Sequence, residues 1–368
     1  MIRLCRVLYL IALGAYLLYS LLFHGFTHWA VEEEVMIGPW RARMALLWFS
    51  YGLLGLLTAL EFGLNRRRAA IAAALLLCRV LLPKSGQTIL LVELALFCVL
   101  ADRARTRAIA GCWLAVYAAY VLLLAALLLS GAVTSTYAWP KLGSFSVPGV
   151  SLGMGHPNSL ALLILAMLLM AWYLWLKRSR AVTAILFAAA GLLIWYLTVC
   201  RTAALLALLF PLLETRLTTL RIRRPRQTLR WCAALPFMLL CVSLGLTLAL
   251  GVLRLAPWLD NIFGGRFTLA AEGFHTYPLT LLGQTLGATP ILDNLYINLL
   301  LGAGGVPTAL FLGAMCVMNT RLAQAGDTEL LSVAILYLIL GLMENAGLYL
   351  IFGFAPLLAA SQGPSTEG

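Results

Sequence analysis

The feature that most constrains this chain is a succession of long apolar runs. Residues 108–130 and 231–253, for example, contain no charged side chain. A run of about 20 apolar residues forms a helix long enough to cross the hydrocarbon core of a bilayer. The whole chain is 62% hydrophobic and 11% charged, whereas soluble domains are typically about half apolar and a quarter charged. We therefore predict an all-α, polytopic membrane protein.

About twelve such runs fit in the chain and predict a single transmembrane domain over residues 1–360. The third and fourth runs are short for spanning. The first run continues without a small-residue cleavage site, so we predict a retained helix rather than a signal peptide. Residues 361–368 are polar and predict a disordered tail. The predicted helices cover residues 4–23, 44–64, 69–82, 88–101, 108–130, 159–176, 181–199, 203–213, 231–253, 295–318, 329–343 and 346–360.

The basic residues between the runs predict the orientation. Most of the 26 Lys and Arg side chains fall in alternate connections, of which the 216–230 segment is the richest. By the positive-inside rule these connections face the cytoplasm, which places both termini inside. The outer face then receives three longer segments, 24–43, 131–158 and 254–294, and we expect short helices within the last of them.

Composition also bears on ligands and partners. The formal charge of +12 does not predict nucleic-acid binding, because the basic residues lie between apolar runs and not on a basic stripe of a soluble element. The eight cysteines show neither CxxC nor metal-ligand spacing, and no carboxylate cluster marks the outer face. We therefore expect no metal and no cofactor, and membrane lipids as the main surroundings.

Charged side chains at membrane depth cost about 2.5–3.5 kcal/mol each on insertion scales, so each one needs a partner or a function. Arg79 and Glu93 lie in the third and fourth runs, where they either pair across the hairpin or contact a substrate. Arg201 lies at an outer turn between two runs. It either reaches to the membrane interface or forms an anion site.

The polar residues of the outer side form short motifs. In chain order these are Gly155-His156-Pro157-Asn158, Cys200-Arg201-Thr202, Gly264-Gly265-Arg266, Leu282-Gly283-Gln284, Asp293-Asn294-Leu295-Tyr296, Gly304-Gly305 and Glu344-Asn345. In their order and common predicted side, they resemble the extracytoplasmic segments of Wzy-type polysaccharide polymerases of Gram-positive bacteria. That family belongs to the broader O-antigen ligase-like group. The resemblance covers residues 155–356, and earlier residues match only in hydropathy.

The resemblance implies a GT-C-like helical fold in the bacterial plasma membrane, with an active site that faces outside. It implies a glycosyltransferase that joins undecaprenyl-diphosphate-linked oligosaccharide repeat units into capsular polysaccharide or exopolysaccharide. A flippase and a chain-length regulator would be its pathway partners. The context of His275 does not match the histidine pattern of lipopolysaccharide O-antigen ligases, which disfavours ligase activity.

Such a reaction needs groups for the leaving diphosphate and for the attacking hydroxyl. Arg201 and Arg266 are candidates to stabilise the diphosphate, because a guanidinium grips phosphate oxygens at two points. His156, Asp293 and Glu344 compete to accept the hydroxyl proton. His156 and Asp293 are alternatively local hydrogen-bonding or capping residues at helix starts. The further candidates for substrate binding are Asn158, Arg79, Gln284, Asn294, Tyr296 and Asn345.

Three other functions stay open. A ligase that transfers a finished glycan to another acceptor would use the same residues. A transporter would also be all-helical, but it predicts internal symmetry and helices broken at mid-membrane, whereas the polar motifs here gather at one face. A non-catalytic membrane partner would need none of this chemistry.

Overall fold

A computed structural model describes residues 2–26, 37–81, 86–101, 105–131, 136–140, 146–152, 154, 156–176, 179–287, 292–345, 349–350 and 352–362. The helices are α1 (Ile2–Phe26), α2 (Ile37–Phe62), α3 (Arg66–Leu81), α4 (Gly86–Ala101), α5 (Thr106–Leu129), α6 (Pro157–Ala171), α7 (Arg180–Thr198), α8 (Arg201–Arg223), α9 (Pro225–Leu246), α10 (Pro257–Ile262), α11 (Arg266–Thr276), α12 (Leu295–Asn298), α13 (Gly305–Ala325), α14 (Thr328–Leu340) and α15 (Phe354–Ala360). The π-helical segments Trp172–Leu176, Thr247–Val252 and Leu299–Ala303 continue α6, α9 and α12. Strands β1 (Thr136–Pro140) and β2 (Ser146–Val150) form an antiparallel hairpin.

The chain is a multi-pass helical membrane protein, which confirms the all-α prediction. Within the described residues, eight helices are long and apolar enough to cross a membrane. Each of the twelve predicted helices has a helical counterpart, but α3 and α4 have 16 residues each and α14 has 13. The number of crossings and the orientation therefore stay predictions. The short helices expected in the 254–294 segment are α10 and α11.

Some predicted boundaries are wrong. The helix predicted over 203–213 continues to Arg223, because basic residues extend α8 beyond its apolar part. Only Phe354–Ala360 of the last predicted helix is helical in the described part, since residues 346–348 and 351 lie outside it. The hairpin of β1 and β2 was not predicted. Of the predicted tail, Ser361 bonds to Thr106 and Gln362 to Asp327, while residues 363–368 lie outside the described part.

The helix predicted over 295–318 is broken at Gly304. This residue has φ 89°, a conformation that residues with a Cβ rarely adopt. A Cβ on Gly304 would overlap the Gly283 backbone nitrogen, so the break also makes room for the outer loop to approach. The Gly305 and Val306 amides donate to the Thr280 and Leu281 carbonyls, which fixes the loop on the start of α13.

The helices pack around one large apolar core, with α1 along α2 and α5, α7 along α8, and α9 along α13. Close approach also fixes α11 on the π-helical segment that continues α9. A Cβ on Gly251 would overlap the Phe267 carbonyl oxygen. Small residues commonly allow such contacts between helices in membranes. The first turn of α11, which carries Arg266, is therefore held against the end of a spanning helix.

We expect Gly304→Ala to lower the free energy of unfolding by about 1–3 kcal/mol, because the methyl group meets the Gly283 backbone and the positive φ disfavours a Cβ. Gly313→Ala is the matched control, since a methyl group added there, in the interior of α13, would meet nothing within 4 Å. That control should be neutral or stabilising. Thermal unfolding in detergent compares them, and equal stability of both variants would contradict the argument.

Candidate functional site

Four polar side chains from separate parts of the chain meet at one end of the bundle. The Arg266 Nη2 atom donates to Glu344 Oε1 at 2.8 Å, and its Nε atom lies 3.4 Å from Asp293 Oδ2. Asn158 Nδ2 reaches the same Glu344 oxygen at 3.4 Å. We call Asn158, Arg266, Asp293 and Glu344 the polar cluster. All four were candidate site residues in the sequence, and folding brings them together.

The position of Arg266 depends on the start of α11. Gly265 precedes it with φ 73°, a left-handed conformation that redirects the chain from α10 into α11. The buried Asp260 carboxylate then accepts bonds from the Phe267 amide at 3.0 Å and from the Thr268 amide at 3.2 Å. Sequence reasoning missed Asp260. The sequence feature that could have indicated Asp260 is its place shortly before the Gly264-Gly265-Arg266 turn, where a carboxylate can cap the next helix.

Glu344 fixes the other side of the guanidinium. Its side chain is only 9% exposed and lies just beyond the end of α14. The Arg266 Nη1 atom also donates to the carbonyl oxygen of Met343, the residue before it. Arg266 therefore binds the segment after α14 through both a backbone and a side-chain oxygen. A buried carboxylate is tolerated here because it is paired and hydrogen-bonded.

Asp293 is the more open carboxylate of the cluster. Its side chain is 33% exposed, and the nearest cation is the Arg266 Nε atom. Burial raises the pKa of Asp293, while the nearby Arg266 charge lowers it only in part. A carboxylate with a raised pKa is a stronger proton acceptor once ionised. The cluster thus combines one cation with two carboxylates. Glu344 is buried and Asp293 is partly exposed.

His156 lies beside the cluster as the N-cap of α6. Its Nδ1 atom accepts a bond from the Asn158 amide at 3.0 Å, which confirms the local hydrogen-bonding interpretation. An accepting Nδ1 carries no proton, so a neutral imidazole in this position has its proton on Nε2. The nitrogen of a neutral His156 that could accept a proton is therefore Nδ1, which already accepts the Asn158 amide.

Arg201 begins α8 at the predicted turn, where Val199 adopts φ 54° and ends α7. Its Nη1 atom donates to the Ile262 carbonyl oxygen at 2.8 Å, and its side chain is partly exposed. No carboxylate pairs with it in the part of the chain that the structure describes. The preceding Cys200 acts electrostatically on Arg266, which places the start of α8 beside the cluster.

Most of the other candidate side chains form hydrogen bonds with backbone groups. The interpretation of Asp293 as the cap of α12 is wrong: Asn294 is the cap, and its Oδ1 atom accepts from the Tyr296 and Ile297 amides. Tyr296 is buried and donates to the Leu338 carbonyl. Asn345 donates to the Leu292 carbonyl.

The partners given for two further candidates, Gln284 and Arg79, lie outside the polar cluster. Gln284 Nε2 donates to the Pro278 and Leu301 carbonyls, so it fastens the outer loop. Arg79 Nε pairs with Glu93 at 2.8 Å, which confirms the predicted pairing across the α3–α4 hairpin. Within the described residues, no group of three or more His, Cys, Asp or Glu side chains is arranged to hold a metal.

A small apolar cavity is buried among the helices that lead away from the cluster. Leu162 on α6 follows Asn158 by about one helical turn, and Leu340 on α14 precedes Glu344 by about one turn. Leu206 on α8 lies between one and two turns beyond Arg201. The cavity is lined by Leu162, Leu165, Ala166, Leu169, Leu206, Val333, Leu336, Tyr337, Leu340, Phe352 and Phe354, all of them buried. Polar groups therefore lie at one end of these helices, and the apolar core lies further along them.

No family model, curated protein or solved structure matches this chain. The resemblance to polysaccharide polymerases stays a prediction that rests on the motifs themselves. Function has to be argued from the chemistry of the polar cluster and its surroundings.

We expect Asp293→Asn to unfold at the same or a higher temperature at pH 7. Because burial raises the pKa of Asp293, the ionised carboxylate costs folding free energy above that pKa. This cost disappears as the pH falls to about 4, where the unfolded carboxyl is protonated too. The advantage of the variant should therefore shrink in acid. Thermal unfolding at several pH values measures it.

Asp260→Asn is the matched control for the same substitution. An amide NH₂ group cannot accept the bonds from Thr268, so this variant should lose about 0.5–2 kcal/mol of stability at pH 7. A loss of that size in Asp293→Asn as well would show that the Asp293 charge stabilises the fold.

Proposed function

We propose that this chain is a membrane glycosyltransferase that polymerises polyprenyl-diphosphate-linked oligosaccharide units on the outer face of the bacterial plasma membrane. The observation that carries the proposal is the placement of an open carboxylate, Asp293, and of Arg201, a cation with no carboxylate partner among the described residues, beside one rigid ionic framework. These are the two kinds of group that transfer from a diphosphate to a hydroxyl requires.

In this reaction an acceptor sugar hydroxyl attacks the anomeric carbon of the donor. A new carbon–oxygen bond forms as the bond between that carbon and the diphosphate oxygen breaks. The hydroxyl proton passes to a carboxylate, and the polyprenyl diphosphate leaves as an anion. A diphosphate is already a good leaving group, so stabilisation of its charge and removal of the proton are the tasks left to the protein.

The two arginines divide these tasks. Arg266 uses Nη1, Nη2 and Nε on Met343, Glu344 and Asp293, so it serves to position the carboxylates. Arg201 uses Nη1 on the Ile262 carbonyl and keeps its full charge unneutralised by any described carboxylate. We assign the grip on the leaving diphosphate to Arg201. A cation that is positioned in advance costs little reorganisation during the reaction.

Asp293 is our candidate for the proton acceptor. It is more exposed than Glu344, and its raised pKa brings it closer to that of a useful base. Glu344 is closed by Arg266 and Asn158. His156 uses its unprotonated nitrogen as a helix cap, so its role is to orient Asn158.

The lipid part of the donor has apolar surface available beside Arg201. Leu205 and Leu208 on α8 are exposed about one and two turns beyond Arg201. A polyprenyl chain that lies along this side of α8 would hold its diphosphate near Arg201. Transfer to a different acceptor, as in a ligase, would use the same donor chemistry and differ only in the hydroxyl supplied.

The break at Gly304 does not favour a transporter. A transporter would place a broken helix at mid-membrane. Here α13 is by itself long enough to span, and the break precedes it. The broken segment therefore lies at the end of the bundle that carries the polar cluster.

We expect Arg201→Lys to lower turnover about 10- to 100-fold while the protein still accumulates. Lysine keeps the charge but loses the planar grip, and one charge-assisted hydrogen bond contributes about 1.5–3 kcal/mol. Purified protein with a synthetic polyprenyl-diphosphate repeat unit provides the assay, with product length read on a gel. Arg254→Lys is the matched control, because Arg254 is exposed and lies on the same predicted side of the membrane. Equal activity of Arg201→Lys and wild type would remove Arg201 from the site.

We expect Asp293→Asn to lower kcat by about 10²–10⁴-fold, the usual contribution of a general base, with little change in donor binding. His156→Asn is its counterpart, since asparagine also caps helices well and should preserve turnover. The same assay separates the two residues. An inactive His156→Asn beside an active Asp293→Asn would reassign the base to His156.

A further inference from the structure

A second charged cluster lies on α1 to α4, on helices that do not carry the polar cluster. The buried Glu93 carboxylate accepts bonds from the Tyr16 and Tyr51 hydroxyls and from Arg79 Nε. Arg79 Nε also lies 2.8 Å from the Tyr51 hydroxyl, and its guanidinium carbon lies 5.4 Å from the centre of the Tyr51 ring. Three contacts thus fix the plane and direction of one guanidinium.

The outer half of this guanidinium is open. Every contact to Glu93 and Tyr51 uses Nε or the ring face, and Nη1 and Nη2 have no partner among the described residues. The Arg79 side chain is 26% exposed. Because Glu93 and Tyr51 both bind Nε, the end of the guanidinium formed by Nη1 and Nη2 keeps donor hydrogens that no described residue accepts. They form a two-point donor with a fixed orientation.

Exposed apolar and aromatic side chains surround Arg79. Arg79 lies in the last turn of α3, next to Val80, which is 73% exposed. Trp48 on α2 is 66% exposed and contacts the edge of Tyr51 at 6.3 Å between ring centres. Tryptophan and tyrosine are enriched at the headgroup level of bilayers. This combination favours a position of Arg79 near lipid headgroups, beside side chains that would face hydrocarbon.

We propose that Arg79, fixed by Glu93 and Tyr51, is a binding site for the phosphate group of a membrane lipid. Nη1 and Nη2 match two phosphate oxygens, and the chains of the lipid lie along the exposed faces of α2 and α3. The site is separate from the polar cluster and does not depend on the proposed transferase function. The phosphate belongs to a bilayer phospholipid or to a polyprenyl diphosphate, which share this chemistry.

Two physical arguments favour a lipid over a free anion. Donor hydrogens without an acceptor are costly beside hydrocarbon, and a phosphate that arrives with its own hydrocarbon chains accepts from Nη1 and Nη2 without exposing apolar surface to water. Arginine, unlike lysine, can also bind Glu93 through Nε and a phosphate through Nη1 and Nη2 at the same time. The Glu93 charge positions Arg79 and leaves its outer face available.

The test uses the purified, delipidated full chain in detergent. Its unfolding temperature is followed during titration with dioctanoyl phosphatidic acid, a polyprenyl diphosphate, inorganic phosphate or dioctanoylglycerol. We expect at least one lipid phosphate to stabilise the wild type, and neither inorganic phosphate nor dioctanoylglycerol to do so at the same concentration. Stabilisation by the polyprenyl diphosphate alone would identify it as the source if the response persists in Arg201→Lys and weakens in Arg79→Lys, whereas stabilisation by both lipids would indicate a general lipid-phosphate site.

Arg79→Lys keeps the charge pair with Glu93 and should fold. It should need about tenfold more lipid for half-maximal stabilisation, which corresponds to one lost charge-assisted bond. The double variant Arg79→Gln with Glu93→Gln removes both charges together, so no buried carboxylate is left unpaired, and it should lose the response. Arg201→Lys should keep the response to phosphatidic acid, which separates this site from the proposed active site.

The proposal is overturned if Arg79→Lys and the double variant respond to lipid as the wild type does. It is equally overturned if inorganic phosphate stabilises the wild type as well as the lipids do, or if no lipid phosphate stabilises it at all. Loss of the phosphatidic acid response in Arg201→Lys alone would place the lipid-phosphate site at Arg201 and not at Arg79.

Discussion

The end of the bundle that carries the polar cluster depends on one guanidinium. Arg266 joins the start of α11, the residue before the cap of α12 and the segment that follows α14. Lipid gives helices little hydrophobic reason to associate, so polar contacts and close packing have to hold the bundle ends together. Arg266 also supplies a cation to the buried Glu344 carboxylate. The fold and the candidate site therefore share a single ionic framework.

That framework gives Arg201 and Arg266 unequal roles, although the sequence predicted the same role for both. Arg266 is enclosed by oxygen atoms from three segments, and Arg201 touches one backbone carbonyl. A guanidinium surrounded by acceptors fixes geometry, whereas one with open donors can receive a ligand. The same division recurs within Arg79, whose Nε is engaged and whose terminal nitrogens keep donor hydrogens that no described residue accepts. In Arg79, Nε thus fixes the position of the side chain, and the terminal nitrogens are left to bind a ligand.

Much of the fold could be predicted from sequence, because hydropathy reports the lipid environment directly. The pairing of Arg79 with Glu93 followed from the cost of lone charges in a membrane. The capping of α12 could not be predicted. Asp293 and Asn294 are equally good caps, and only the position of Arg266 decides which one turns towards it. Asp260 and the break at Gly304 likewise depend on contacts formed after folding.

The short hairpin of α3 and α4 has a consequence for membrane insertion. Each helix is about 24 Å long, less than the roughly 30 Å of a hydrocarbon core. If both helices cross the bilayer, the hairpin contributes two crossings. If the hairpin enters the bilayer and returns to the same side, it contributes none. The parity is even in both cases, so the sidedness of α5 and every later helix is unaffected. An insertion error at the weakest pair of helices would leave the polar cluster on its proper side.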